Sequence, residues 1–409
     1  MRANRANISF TLIAAVLATA GALAWSLLTA TASLALPVKA TPTNDFLYSI
    51  SCSGRTNCTA VGNWAYHSEF PQSHTLAEHW NGSKWSAETT PEPAGSSIAR
   101  FDGVACPTAR MCVAVGADFV GLGSANTNPV VASWNGSKWI LDKIKEPTGG
   151  SNGFLEGVAC SSARQCLAVG YFINSSNSTQ NLVESWNGST WTASVPANSS
   201  TSFNLLNGVA CPARNKCVAV GQYRNAANVD VTFTDQWNGS KWSPQLTPSP
   251  AGDLSRLNGV ACTTTRCLSV GTSEGITSAV HPTDTLAEHW NGSTWAQSLP
   301  GNPSRNSQPS NNLNAVSCPG VKNCLAVGAY NNKSGTSVAL GEKWNGSKWT
   351  VSKTLELPKA TLGGYFFGVA CTSATHCLAV GYSQTTGSVQ YAAISELWNG
   401  SKWTLVSVP

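Results

Sequence analysis

Hydrophobic residues beyond the first forty come in short runs interrupted by Gly, Asn, Ser and Pro, and the same order of runs keeps returning. One copy reads Gly103-Val104-Ala105-Cys106, then Cys112-Val113-Ala114-Val115-Gly116, then Trp134-Asn135-Gly136-Ser137-Lys138-Trp139. The order occurs seven times, with first cysteines at Cys52, Cys106, Cys160, Cys211, Cys262, Cys318 and Cys371 and first tryptophans at Trp80, Trp134, Trp186, Trp237, Trp290, Trp344 and Trp398. Both series step by 51–56 residues, the period of propeller blades.

Each unit predicts four short strands. The first ends at its cysteine, the second is the Cys-(Leu/Val)-Ala-Val-Gly run, the third leads into Trp-Asn-Gly, and the fourth starts at the second Trp. Asn-Gly is a strong hairpin signal, because both turn positions call for φ > 0. The four or five residues between paired cysteines also suit a hairpin. No segment past the opening stretch keeps a 3.6-residue apolar period for three turns. The predicted fold is all-β: a seven-bladed β-propeller with four antiparallel strands per blade and one local disulfide per blade, a β-solenoid being the competing arrangement. The ring closes by packing of the first and last blades, or residues 37–48 add a closing strand.

Arg2 and Arg5 precede an uncharged stretch from Ile8 to Leu28 and then small residues. That order reads as a signal peptide over residues 1–36, with an N-terminal membrane anchor as the alternative. Residues 37–409 are expected to form one propeller outside the cytoplasm, secreted or held at the outer membrane face. Charged residues make up only 11% of the chain, while 16 Trp supply the apolar surface that a disordered chain lacks. Of 25 Lys+Arg, 23 remain beyond the leader against 20 Asp+Glu, so net charge alone selects no partner.

The cysteines form seven pairs: Cys52/Cys58, Cys106/Cys112, Cys160/Cys166, Cys211/Cys217, Cys262/Cys267, Cys318/Cys324 and Cys371/Cys377. Even pairing at fixed spacing in an exported chain predicts local disulfides, which would pin hairpins rather than close the ring. A closed zinc site needs four ligands, and only Cys377 has a histidine beside it, His376, so no metal and no cofactor are expected. An acid stands two residues before the first Trp in six units, Glu78, Glu184, Asp235, Glu288, Glu342 and Glu396, with Ala132 the exception. Six equivalent acids are expected to fix strands rather than to catalyse.

The Trp-Asn-Gly-Ser-Lys-Trp hairpin resembles the Asp-box of sialidase-type propellers, and more faintly the docking repeat of quinoprotein dehydrogenase propellers. Both resemblances imply the fold of a blade and carry over no active site.

Two departures from pure scaffold remain. The cysteine turns carry Arg55, Arg110, Arg164, Arg214, Lys216, Arg266 and Lys322, and the Asn-Gly turns carry Lys84, Lys138, Lys241, Lys348 and Lys402, with no acid in either set. Both sets should emerge on one rim as a basic ring suited to an anionic polymer, unless the cations merely solubilise turns. Aromatics recur after the glycine of the second strand, at Trp64, Phe119, Tyr171, Phe172, Tyr223, Tyr330 and Tyr382, within the variable connections of the opposite rim. They could stack on sugar rings or pack between blades. The unrepeated acids Glu69, Asp118, Asp230 and Glu274 are tied to no two-carboxylate catalytic motif, and there is no phosphate loop. The seven Asn-Gly-Ser triplets, formally glycosylation sequons, read as turns. The expected function is a binding or scaffold propeller, a monomer engaging glycan, anionic wall polymer or protein through a rim, with no specific nucleic acid. A glycan-active enzyme and a structural spacer are the alternatives.

Overall fold

A computed structural model describes residues 43–66, 72–121, 126–196, 198–276, 282–304, 307–352, 361–385 and 390–409. The leader and Glu69 lie outside them. Twenty-eight strands form seven sheets of four in sequence order, every neighbouring pair antiparallel, with no helix among the described residues. Blade 1 comprises Thr43–Gly54, Asn57–Tyr66, His74–Trp80 and Trp85–Glu88, and blade 7 Thr361–Ser373, His376–Thr385, Tyr391–Trp398 and Trp403–Val406. Thr43–Gly54 is thus the inner strand of its own blade and not an added closing strand. The ring closes without a shared sheet, through a cluster joining Leu47, Ile50 and Trp85 of blade 1 to Leu378 and Val380 of blade 7 and through the Tyr391 N–H, which donates to Asn44 Oδ1 at 2.9 Å.

Six further clusters fill the other six blade interfaces, so the core is distributed around the ring. The seven disulfides, Cys52–Cys58, Cys106–Cys112, Cys160–Cys166, Cys211–Cys217, Cys262–Cys267, Cys318–Cys324 and Cys371–Cys377, each join the first and second strands of one blade, with Cα atoms 4.0–4.1 Å apart. Closing so small a loop stabilises by about 2 kcal/mol in the chain-entropy picture.

The bridges do more than the expected pinning of hairpins. The second cysteine of every pair is buried, Cys58, Cys112, Cys166, Cys217, Cys267, Cys324 and Cys377 alike, and each belongs to the cluster shared with the preceding blade. Cys112 packs with Val61 of blade 1, Cys166 with Val113 of blade 2, Cys217 with Leu167 of blade 3 and Cys267 with Val218 of blade 4. Cys324 packs likewise with Leu268 of blade 5 and Cys377 with Leu325 of blade 6. Cys58 completes the circle in the closing cluster with Leu378 of blade 7. As expected, every bridge pins a hairpin of its own blade and none links the ends of the ring, but the second strand turns its cysteine towards the neighbouring blade, so the first bridge also packs in the closing interface.

The paired tryptophans face each other across the outer hairpin, ring centroids 5.4–5.8 Å apart in all seven blades. Four of the second tryptophans also reach the preceding blade: Trp139 Nε1 donates to Glu88 at 2.8 Å, Trp191 to Asp142 at 2.9 Å, Trp349 to Ser298 and Trp403 to Ser352, both at 3.0 Å.

The outer turn differs from the expected Asn-Gly pair. Gly82 alone takes positive φ, at 98°. Asn81 acts through its side chain, its Oδ1 accepting from the backbone of Ser83 and Lys84 at 3.0 Å each. The central residues are therefore Gly and Ser, with the asparagine bridging the loop as an Asx-turn, and the same bonds recur at all seven hairpins.

The six acids before the first Trp are fully buried. Glu342 Oε2 accepts from the Gly301 N–H at 2.8 Å, tying blade 6 to the segment arriving from blade 5. Burial pushes the carboxyls of Glu184, Asp235, Glu288 and Glu342 up to about 7.

Candidate ligand site in the central channel

The seven first strands stand side by side around a channel, and each carries a β-bulge at the same place. In blade 4, Leu206 pairs with Gly221 and Gly208 with Val220, which leaves Asn207 unpaired. A Cβ on Gly221 would run into the Leu205 carbonyl oxygen, which is why the second strand needs glycine opposite the bulge. The residue before each bulge, such as Phe101, Leu155 or Leu206, is fully buried between blades. The extra residue then faces the channel instead of following it inward. The seven bulge residues are Tyr48, Asp102, Glu156, Asn207, Asn258, Asn314 and Phe367, and all line one cavity of about 670 Å³.

That ring divides into two arcs. Asn207 Nδ2 donates to Leu257 O at 2.8 Å, Asn258 to Leu313 O at 2.9 Å, and Asn314 to Phe366 O at 2.7 Å. Each amide thus ties its inner strand to the next blade, from blade 4 through to blade 7. The other four blades present Phe367, Tyr48, Asp102 and Glu156. Arg100, two residues before Asp102, bonds it through Nε to Oδ2 at 3.0 Å. The Asp102 side chain is 13% exposed and that of Arg100 33%.

Burial raises the Asp102 carboxyl, opposed by Arg100. Glu156 is pushed up to about 7, by burial first and then by the charge of Asp102, with Arg100 pulling the other way. Burial disfavours the Arg100 charge, but Asp102 and Glu156 together hold the guanidinium more firmly protonated than usual. Burial likewise raises the Tyr48 hydroxyl. Aromatic rings flank this ionic group. Phe154 stacks on Tyr171 at 5.0 Å with Phe119 edge-on at 5.5 Å, and Phe367 stacks on Tyr382 at 5.4 Å with Phe46 edge-on to Tyr382 at 4.8 Å.

Of the aromatics singled out in the sequence, Phe119, Tyr171 and Tyr382 join this arc. Trp64 does not: it is 7% exposed and packs on Tyr66 at 5.0 Å and His74 at 4.6 Å. Tyr223 packs on Phe233, Tyr330 against the cluster between blades 5 and 6, and Phe172 is buried between blades 2 and 3. All stand in second strands rather than in loops. In blade 1 that strand runs to Tyr66 and the third starts at His74, so most of the stretch from Asn63 to His79 is sheet and not a variable connection. None of the cysteines lines the channel; Cys58, Cys166, Cys217, Cys267 and Cys324 are scaffold between blades. Among the unrepeated acids, Asp118 accepts from Asn128 at 2.9 Å and Asp230 pairs with Arg224 at 2.8 Å. Neither faces the channel, and the channel acids Asp102 and Glu156 were missed. Their trace in the sequence is faint: one position before Gly-Val-Ala-Cys that varies while its neighbours repeat.

On the opposite rim, Arg55, Arg110, Arg164, Arg214, Arg266 and Lys322 are all exposed in the cysteine turns. The outer turns lean on the cysteine turns, a Cβ built on Gly136 standing 3.4 Å from Arg110 Cβ and one on Gly188 3.2 Å from Arg164 Cβ. The two sets of turns therefore share a rim. No cluster of three or more His, Cys, Asp or Glu suited to a metal occurs among the described residues.

The molecule is a seven-bladed propeller with a concave, chemically asymmetric channel. Solved structures of similar fold include an ulvan lyase of a new polysaccharide lyase family bound to -[GlcA(1-4)Rha3S]-, with TM-score 0.58 and 9% identity over 87% of this chain and 93% of that one. Trypanosoma rangeli sialidase in complex with the inhibitor DANA gives TM-score 0.50 and 9% identity over 88% of this chain and 55% of that one. YCF48 bound to D1 peptide gives TM-score 0.49 and 12% identity over 87% and 94%. At such identities the likeness to the lyase and the sialidase shows the fold alone. No protein-family model and no curated protein matches the chain.

Proposed function

We propose that this chain is an extracellular binding propeller whose charged and aromatic channel arc takes a short glycan. The observation that carries the reading is the divided bulge ring. Three blades fill the position with an asparagine that ties neighbouring strands, whereas blades 2 and 3 keep acids there beside a partly buried arginine. Confining such a trio costs more than well-packed alternatives of similar volume, and ligand sites are where a fold keeps such costs. Planar carboxylate and guanidinium groups suit paired sugar hydroxyls, Tyr48 and Phe367 offer ring faces, and 670 Å³ is the size of a small-ligand pocket. Seven disulfides and the basic-apolar-small leader favour an oxidising compartment. No helix among the described residues is long and apolar enough to cross a membrane.

A glycan array probed with the full chain and with the triple variant Arg100→Leu, Asp102→Asn, Glu156→Asn tests this. Selective signals from the native chain that vanish in the variant are expected; identical patterns, or none from either protein, would sink the reading. A glycan-active enzyme is the second reading, since Asp102 and Glu156 are two carboxyls that feel one another and one titrates near neutrality. Release of shortened products from a bound glycan would favour it.

A further inference from the structure

The rim bearing the cysteine turns is a second surface, independent of the channel. Its turns touch from blade to blade: Arg55 Nη2 donates to Ser373 Oγ at 3.3 Å between blades 1 and 7, Gln165 Nε2 to Arg214 O at 2.9 Å between blades 3 and 4, and Lys216 Nζ to Thr264 O at 3.5 Å between blades 4 and 5. The outer hairpins lean on these turns, so both sets of cations belong to one collar. Every Lys and Arg in it is exposed, and neither set of turns contains an acid. The blade acids are withdrawn from this surface, six of them at zero exposure inside the third strands. Two grooves open between blades at this collar. One, of about 580 Å³ between blades 4 and 5, has the half-buried Trp237 and Trp290 in its wall and Lys216 at its edge. The other, of about 180 Å³ between blades 5 and 6, sets Arg266 and Lys322 beside the half-buried Trp290, with the buried Trp344 at its base.

We infer that this collar binds a linear acidic polysaccharide, its carboxylate or sulfate groups meeting the turn cations and its sugar rings meeting the groove tryptophans. Exposed cations recurring around a rim favour a partner with charges recurring along a chain, and such attraction is long-ranged at low salt and screened at high salt. An indole face beside a cation matches an acidic sugar, which has both an apolar ring face and a charge. The disulfide-permissive compartment makes polysaccharide rather than nucleic acid the polyanion to expect.

The test runs the full oxidised chain over immobilised heparin at about 50 mM salt with a rising gradient. Retention that weakens with salt is expected. The variant Lys216→Glu, Arg266→Glu, Lys322→Glu should lose it, whereas Lys143→Glu, Lys145→Glu, Lys333→Glu, the same change in net charge outside the collar, should stay bound. Flow-through of the native chain, or equal loss in both variants, would overturn the inference. So would displacement by duplex DNA at a lower charge concentration than by soluble heparin. The channel variant Arg100→Leu, Asp102→Asn, Glu156→Asn should elute with the native chain, so failure here leaves the channel reading standing, and the reverse.

Discussion

Blades 4 to 6 and blades 1 to 3 use the same bulge for different ends. In the first group the extra residue is asparagine, and its amide satisfies a carbonyl on the next inner strand. In the second it is Tyr48, Asp102 or Glu156, and with Phe367 of blade 7 the arc gathers an ion pair and a neighbouring acid instead. The backbone is common to both, so the difference is one of side chains alone. A position that a repeat protein can fill with a scaffold residue, and in places does not, marks where the scaffold yields to another requirement.

The largest effect should come from breaking the ionic arc at one point. Arg100→Ala leaves Asp102 and Glu156 near each other without a counter-charge. It should cost about 3 kcal/mol in chemical denaturation, the low end for a buried pair because a third of the arginine side chain reaches solvent. The matching break in the amide arc is milder. Asn258→Ala strands the Leu313 carbonyl, formerly bonded at 2.9 Å, and should cost about 2 kcal/mol, with glycan signals retained.

The arcs also differ in their response to pH, since asparagine does not titrate. Glu156 is raised from 4.5 to about 7 in the folded chain, so the folded state holds its proton more tightly than the unfolded state. Its contribution to stability is full below pH 4.5 and declines as pH rises towards 7. Glu156→Gln should make the fall of the denaturation midpoint over that interval shallower by the share of one group. The slope from Glu184, Asp235, Glu288 and Glu342, each near 7, should persist. An unchanged profile would mean that Glu156 ionises freely.

The parts of the molecule that repeat were legible in the sequence: seven units, four strands each, cysteines closing the inner hairpin and tryptophans facing across the outer one. Periodicity and turn chemistry are local, and they recur, so seven copies vouch for one another. Spacing paired the cysteines, but it could not say that Cys58 or Cys166 also packs against the preceding blade, since that contact spans two repeats. The channel site was not legible, for a specific reason. A bulge breaks strict alternation, so nothing in the run Arg100-Phe101-Asp102-Gly103 says that Phe101 turns inward while Asp102 faces the channel. The aromatics were seen, but their placement in strands two was not, because the loop boundary was set at the glycine. The acids before Trp are buried in the third strands, and Glu342 bonds the Gly301 N–H of a neighbouring segment, as a strand-fixing group would. That Glu184, Asp235, Glu288 and Glu342 are pushed up to about 7 follows from burial, which the one-dimensional pattern hides.

The central claim is that the ionic arc is kept for binding at the expense of stability, and the triple variant Arg100→Leu, Asp102→Asn, Glu156→Asn tests it most directly. It gives blade 2 the side chains that blade 4 has at Leu205 and Asn207, and blade 3 the asparagine. Measured by chemical denaturation at pH 7.5 together with the glycan array, the variant should be more stable than the native chain by about 1 kcal/mol or more and should bind no glycan. A less stable variant, or one that still binds as the native chain does, would contradict the account.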